Sequence, residues 1–464
     1  MRILHVGSGF RPWRHGGLVA YIEDLMEAQV ARGHDVAYFF AGRQYPFVSG
    51  PRLKRWRRGD VEMLEVVNSP LFDHGRQPGL ELAEPRLERL FERTVGELRP
   101  DVVHVHELAG LPSSLLEIAA PVVMTLHDYF PLCSTFKLFD SGEQVCLRRQ
   151  IGGDCAATTA ADPRDPGLMF DATVRFHVFG HPLVRRFDSP RLRRRIERLA
   201  IALGRRAARR AYGNGAAPRP GAFQRRRDLN VERLNGARRL VAVSERVREI
   251  YALLGVDANR IVTLHPTLAH IDGLRPSRAG TAGPVTFATL GGGESVPKGS
   301  RLLLEAVQSL ANTMRPDRYR MLVFGSVDPS IRDALAAIPG VELRWAYTPD
   351  QLDGLLDEVD VGVVPSLWEE AYGLVGPEFL AKGIPLIANA IGGIVDYARE
   401  GETAWLNRSC SADELASIMG DLVEHPERIR VMSERARAAR ESIVTPMSQH
   451  ADAVEELYRD ALAA

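Results

Sequence analysis

The feature that most constrains this chain is a rhythm. Short apolar runs alternate with longer stretches of helical period, and the pattern plays through twice. Residues 2–6, 36–40, 102–105, 122–126, 240–243 and 260–264 are predicted strands of a first series. The first helix opens on Gly16-Gly17, lays Leu18, Ile22, Leu25 and Met26 on one face and stops at Gly33. Another starts after Ser244, an N-cap residue, and ends at Gly255. The segment IDGLRPSRAGTAGP (271–284) then reads as a linker. Beyond it the rhythm restarts, with strands predicted at 285–290, 320–324, 341–345, 361–364 and 386–389. A last helical pattern from about 448 carries Val454, Leu457 and Leu462. Strands alternating with helices build parallel sheets covered on both faces. The expected architecture is therefore α/β: two doubly wound domains facing each other across a cleft. Ligands of such sheets bind beyond the carboxyl ends of the strands.

Composition narrows the function classes. Lys plus Arg equal Asp plus Glu at 59 each, so no global charge draws the chain to nucleic acid. No apolar run approaches the ~18–20 residues that span a bilayer. The opening MRILHVGSG reads as a first strand rather than a signal peptide. Four cysteines in 464 residues do not make a disulfide framework, which fits a reducing cytoplasm.

Two glycine clusters invite phosphate chemistry. Gly7-Ser8-Gly9 ends the first strand, but Pro12 stands where the dinucleotide fingerprint needs its third glycine, and no acid closes a clear second strand. Gly16-Gly17 opens a helix, where backbone N–H groups can approach a phosphate or sugar; a flexible turn is the plainer reading. More telling is SLWEEAYGLVGPEFLAKGIP (366–385), with Glu370 in a loop and Glu378 just inside the adjoining helix. Gly373 and Gly376 between them leave room for a diphosphate, with one acid for the hydroxyls of each flanking ring. Alone, Glu378 serves equally as a first-turn acid stabilising the helix dipole.

The run from 361, VGVVPSLWEEAYGLVGPEFLAKGIPLIANAIGG, resembles the retaining glycosyltransferases of family 4. The resemblance extends over nearly the whole chain through the glycine-opened first helix with RGHDV, RPDVVHVHE at 99–107, TLHDYFPLC at 125–133 and RLVAVSERV. It implies the GT-B fold, two Rossmann-like domains whose final helix crosses back to the first. The expected division is 1–272 plus a returning helix at about 446–464, with an arginine-rich insertion at about 165–235, and a donor domain at 283–445. Residue by residue, the resemblance implies that Glu370 binds the donor sugar and Glu378 the nucleotide ribose. Amides around Gly373 and Leu374, beside Tyr372, contact phosphate and sugar. His127 reaches the sugar from the first domain, and Lys298 in VPKGS neutralises the diphosphate. Gly16, Gly17, Gly292 and Gly293 join the donor site, and Gly325 and Tyr347 frame the base. One departure stands out: the family has Gly-Arg about five residues before that Lys-Gly, where LGGGESVPKG offers Gly292, Gly293 and Glu294.

These marks predict a retaining transferase moving a sugar from a nucleoside diphosphate sugar to a hydroxyl acceptor, with no cofactor required. No Asp-x-Asp pair sits at a strand end, so no catalytic metal is expected. The alternatives are a donor-binding protein with little turnover, suggested by the missing arginine, and a sugar phosphorylase of the same fold. His104 and His106 share a strand face as metal ligands do, but no third ligand is apparent. Cys133, Cys146 and Cys155 are a weak candidate set for structural zinc, with Thr158 where the resembling family's subset has a fourth cysteine. The stretch 181–240 holds 18 arginines against four acids, and its apolar stripe (Leu192, Ile196, Leu199, Leu203) suits peripheral contact with an anionic inner membrane face. A solvated helix, or one paired with acids, accounts for it as well.

Overall fold

The computed structural model describes residues 1–11, 13–43, 50–71, 78–161, 221–276 and 283–463, together with Arg195 and Leu199. The amphipathic arginine stripe of 189–210 otherwise lies outside the described residues, as does part of the linker.

Among the described residues, fourteen strands form two sheets. The first contains β1 (Arg2–Ser8), β2 (Asp35–Ala41), β3 (Arg52–Arg58), β4 (Val61–Val67), β5 (Val102–Val105), β6 (Val122–Leu126), β7 (Arg239–Ala242) and β8 (Ile261–Thr263), in the order β3-β4-β2-β1-β5-β6-β7-β8. The second contains β9 (Val285–Leu290), β10 (Tyr319–Phe324), β11 (Val341–Arg344), β12 (Val361–Val364), β13 (Leu386–Asn389) and β14 (Ala404–Asn407), in the order β11-β10-β9-β12-β13-β14. Every pairing is parallel except β3 with β4. Strand order reverses beside β1 and beside β9, which places a crevice at the carboxyl ends of each.

The central strands are buried along their whole length, as β9 and β13 show, because helices cover both faces. The β3–β4 hairpin has no counterpart among the predicted strands. RLKRWRR has no apolar alternation because β3 is an edge strand whose residues are largely exposed. The first helix, Gly17–Ala31, buries Tyr21, Ile22, Leu25, Met26 and Gln29. The closing helix, Met447–Ala463, buries His450, Ala451, Val454 and Tyr458 and lies against the first helix. Tyr21 Oη is 2.8 Å from His450 Nε2, and Gln29 Nε2 donates to Tyr458 Oη at 3.2 Å. The chain thus leaves the second sheet and ends on the first.

Four arginines of the basic segment fall in the described helix Ala222–Gly236; Arg225 is exposed, and the other three are buried rather than solvated. Arg226 bonds Glu81 and the carbonyls of Phe130 and Pro131; Arg227 bonds the carbonyls of Leu132 and Arg148; Arg233 pairs with Glu117. They fasten that helix to the loops and short helices beside the first sheet.

Candidate functional site

The loop leaving β12 is pinned from several sides. Asn389 Nδ2 donates to the carbonyls of Pro365 and Ser366, at 3.0 Å each. Gly393 N–H donates to Glu370 O at 2.6 Å, and Ser244 Oγ, from the other half of the molecule, donates to Ala371 O at 2.6 Å. Gly373, at φ 80°, then turns the chain into the helix Val375–Ala381. An added Cβ at Gly373 would lie 3.0 Å from both Glu370 Cγ and Tyr397 Oη. The glycine is required there by conformation and by space.

That loop aims Glu370 inward, where Oε2 accepts from Lys298 Nζ at 2.7 Å, Trp368 Nε1 at 3.0 Å and Ser366 Oγ at 3.2 Å. Lys298 ends a short 3-10 turn (Val296–Lys298), and Gly299 after it takes φ 87°. A Cβ at Gly299 would sit 2.0 Å from Pro365 O, so the Lys-Gly pair is what lets the lysine turn pack on the acid loop. Glu378 lies one helical turn onward and is 6% exposed. Its Oε1 is 2.8 Å from His270 Nε2, on the Ala269–Gly273 turn that follows the first sheet. His127, at the end of β6, faces the same space from the first half and packs edge-on against Tyr21.

These groups border one cavity of about 450 Å³ between the two sheets. Of the residues predicted from sequence, it gathers His127, Lys298, Glu370, Glu378, Gly16, Gly17, Gly292, Tyr347, Tyr372, Gly373 and Leu374. Gly293 and Gly325 do not line it. Gly293 turns toward Val323, 3.1 Å from an added Cβ, and Gly325 backs onto Gly291. The missing arginine's place, five residues before Lys298, is Gly293; Gly292 before it is held to glycine, since an added Cβ would lie 2.2 Å from Thr289 Oγ1. Apart from His127, Lys298 is the sole basic side chain among the described lining residues, and Glu294 adds a third acid. The N–H groups of Gly373 and Leu374 make no hydrogen bond within the protein among the described residues. The arrangement therefore offers one cation and free backbone donors between two carboxylates, which suits a ligand with anionic centre and polyhydroxyl ends.

The loop after β1 holds no such space. Arg14 folds back on it, donating to Ser8 O at 2.7 Å and pairing with buried Glu107, and an added Cβ at Gly9 would meet Arg14 Cβ at 2.8 Å. The Gly7-Ser8-Gly9 turn is filled by the protein's own guanidinium.

The expectation that His104 and His106 lack a third companion is corrected. Parallel pairing of β1 with β5 sets His5 opposite His104, and nitrogens of His5, His104 and His106 all lie within 4.8 Å of one another. Sequence reading missed His5 because the trio is assembled across strands a hundred residues apart. All six ring nitrogens have protein partners: His5 with His106 and Gln29, His104 with Tyr458 and Thr125, His106 with His5 and His127. The trio is a hydrogen-bonded core. Burial lowers His5 and His450 to about 4 and His127 to about 3, and drives His104 and His106 well below the usual range.

Cys133, Cys146 and Cys155 border one small pocket with Thr158 and Arg227. Their sulfurs do not gather as the histidine nitrogens do. Burial raises the Cys155 thiol to about 11, as Asp154 and Cys133 also do. No helix among the described residues is long and apolar enough to cross a membrane.

Comparison with known proteins gives two family matches that together take in both halves. Residues 15–268 match the model of Glycosyltransferase Family 4, and residues 284–425 that of Glycosyl transferases group 1. D-inositol 3-phosphate glycosyltransferase of Rhodococcus opacus is 29% identical over 239 residues, 48% of this chain and 53% of that protein. The Corynebacterium glutamicum protein of the same name is 31% identical over 177 residues, 36% of this chain and 41% of its own. The chain spans about half the length of the first of these curated relatives. Among solved structures, sucrose-phosphate synthase from Thermosynechococcus elongatus superposes with TM-score 0.61 at 15% identity, covering 100% of both chains. Anabaena HepE in complex with UDP-glucose gives 0.58 at 13% identity, covering 98% of this chain and 100% of its own. At such identities the likeness is one of fold, and that fold is GT-B.

Proposed function

We propose, since the chain belongs to glycosyltransferase family 4, that it transfers a sugar with retention of anomeric configuration from a nucleoside diphosphate sugar to a hydroxyl acceptor. The observation that carries this reading is the pair of acids, Glu370 and Glu378, on one cavity with Lys298 and the free Gly373 and Leu374 amides between them. In this reading Glu378 accepts from the ribose hydroxyls, with His270 holding its other side. The diphosphate lies against Lys298 and the amides, drawing Lys298 away from Glu370. Glu370 then accepts from hydroxyls of the transferred sugar, and His127 meets that sugar from the opposite wall.

In this reading both acids bind hydroxyls, and the family resemblance implies front-face substitution: the nucleoside diphosphate leaves and its phosphate oxygen takes the acceptor proton as the new bond forms on the same face. The protein contributes positioning and electrostatic stabilisation of the leaving group. Closure of the two halves, already joined by Ser244 with Ala371 and Arg246 with Glu369, excludes water. No metal enters this scheme. The arginine stripe outside the described residues supports a further part of the reading, peripheral docking on an anionic membrane beside a lipid-linked acceptor.

The glycine at 293, which leaves Lys298 without a cationic partner among the described lining residues, favours one second reading: a donor-binding protein with little turnover. Incubation with UDP-glucose, ADP-glucose and GDP-mannose separates the two. Slow release of free nucleoside diphosphate supports the transferase. Tight binding without release supports the binder, and sugar release only with added phosphate marks a phosphorylase.

A further inference from the structure

Behind His127, away from the cleft, runs an unbroken chain of polar side chains drawn from both ends of the sequence. His127 Nε2 is 3.3 Å from His106 Nδ1, His106 Nε2 is 2.9 Å from His5 Nδ1, and His5 Nε2 is 2.7 Å from Gln29 Oε1. Gln29 Nε2 continues to Tyr458 Oη at 3.2 Å. Tyr458 Oη lies 2.6 Å from His104 Nδ1, and His104 Nε2 lies 2.7 Å from Thr125 Oγ1. His5, Gln29, His104, His106 and Tyr458 are all at most 2% exposed. Burial keeps the imidazoles uncharged at neutral pH.

An uncharged imidazole carries one N–H and one bare nitrogen, so a row of them can be satisfied in only two ways, all pointing forward or all pointing back. An amide has a fixed acceptor end and a fixed donor end, and Gln29 is the one amide in the row. With its carbonyl toward His5, His5 must donate from Nε2 and accept at Nδ1. His106 then donates from Nε2 and accepts at Nδ1, and His127 donates from Nε2. The other branch agrees: Gln29 donates to Tyr458, Tyr458 to His104 Nδ1, and His104 from Nε2 to Thr125. His127 Nδ1 has no partner within the described residues and belongs to a side chain that lines the cleft.

We propose that Gln29, acting through His5 and His106, fixes His127 as the Nε2–H tautomer, so that a bare Nδ1 acceptor faces the cleft. Gln29, His5 and His106 are positioning residues: His106 bonds His127 directly, and Gln29 acts on it through the two imidazoles between. The closing helix takes part, because Tyr458 Oη accepts from the amide and passes the same direction on to His104. The consequence for the reaction rests on the reading that a donor sugar lies beside His127: the imidazole accepts a hydrogen bond from a sugar hydroxyl and cannot donate one.

Nuclear magnetic resonance of protein labelled in its histidine rings tests this, since the ring carbon and nitrogen shifts separate the two tautomers. His127 is assigned by the signal lost in His127→Gln. In the unaltered protein His127 is expected as the Nε2–H form. Gln29→Glu, whose carboxylate only accepts, should keep it. Gln29→Leu removes the directing group, so the Nδ1–H form should gain a comparable share. Hydrolysis of whichever of UDP-glucose, ADP-glucose and GDP-mannose is turned over should then fall about two- to tenfold, the worth of one neutral hydrogen bond, with nucleotide affinity unchanged. An Nδ1–H His127 in the unaltered protein overturns the proposal, and this holds even if Gln29→Leu does not fold. A tautomer indifferent to Gln29→Leu overturns it too. Tautomers that respond as expected, with hydrolysis unmoved, uphold the chain and refute the placement of the sugar beside His127.

Discussion

Acidification from pH 7 to pH 5 is expected to weaken the first half of the molecule by several kcal/mol. His5 and His450 titrate near 4 in the native state, because burial penalises their charged form, against about 6.5 in an unfolded chain. The unfolded state therefore takes up protons first. Stability is full above about pH 6.5 and is lost as pH falls from there toward 4. For each of these two, linkage over pH 7 to 5 gives roughly 2 kcal/mol, or about 4 kcal/mol together. His104 and His106 are shifted in the same direction by burial and add to the loss. His127 counts for less, since it borders the cleft where water reaches it. A loss of that size is a large fraction of the ~5–15 kcal/mol that holds a domain folded. Urea titrations at pH 7, 6 and 5, read by hydrogen exchange in peptides from β1 and β5, measure it. A midpoint that stays level or rises between pH 6.5 and 5 would refute a core of uncharged imidazoles.

Three further outcomes are expected. Lys298→Ala should lower turnover roughly 10²–10³-fold, toward the high end because no arginine shares the diphosphate; full activity in steady-state assays would displace the diphosphate from this wall. Gly299→Ala should destabilise the protein by about 1–3 kcal/mol in thermal or urea unfolding, because its Cβ would meet Pro365 O at 2.0 Å while the backbone holds φ 87°; an unchanged midpoint would contradict that packing. Flotation with anionic vesicles at low salt should retain the protein, and Arg193, Arg194, Arg205 and Arg206 changed to Gln should release it; absence of binding leaves a soluble acceptor.

The central strands were legible because burial on both faces writes continuous apolar runs: 102–105, 122–126, 285–290, 361–364 and 386–389 match the observed bounds. The hairpin of β3 and β4 was not, because an exposed, largely basic edge strand has no apolar period to detect. AWLN of β14 was missed as too short a run to stand out. The acid loop was readable because Glu370, Gly373 and Glu378 are placed by one loop and one helical turn. His270 on Glu378, and His5 with Gln29 behind His127, were not readable. Their partners lie as far as 429 residues away, and only the pairing of strands and the return of the closing helix bring them together. Spacing also cannot show which way a glycine faces, so Gly293 and Gly325 read as site residues while they back onto Val323 and Gly291 and do not line the cavity.

The division of labour between the two acids is the centre of the account. Calorimetric titration of UDP, ADP and GDP into the unaltered protein, Glu378→Ala and Glu370→Ala measures it directly. Glu378→Ala should weaken the preferred nucleotide by about 1.5–3 kcal/mol, the worth of hydrogen bonds to a charged acceptor. Glu370→Ala should bind that nucleotide nearly as well as the unaltered protein. Equal losses in the two variants, or none in Glu378→Ala, would contradict the placement of ribose and sugar on opposite sides of Gly373.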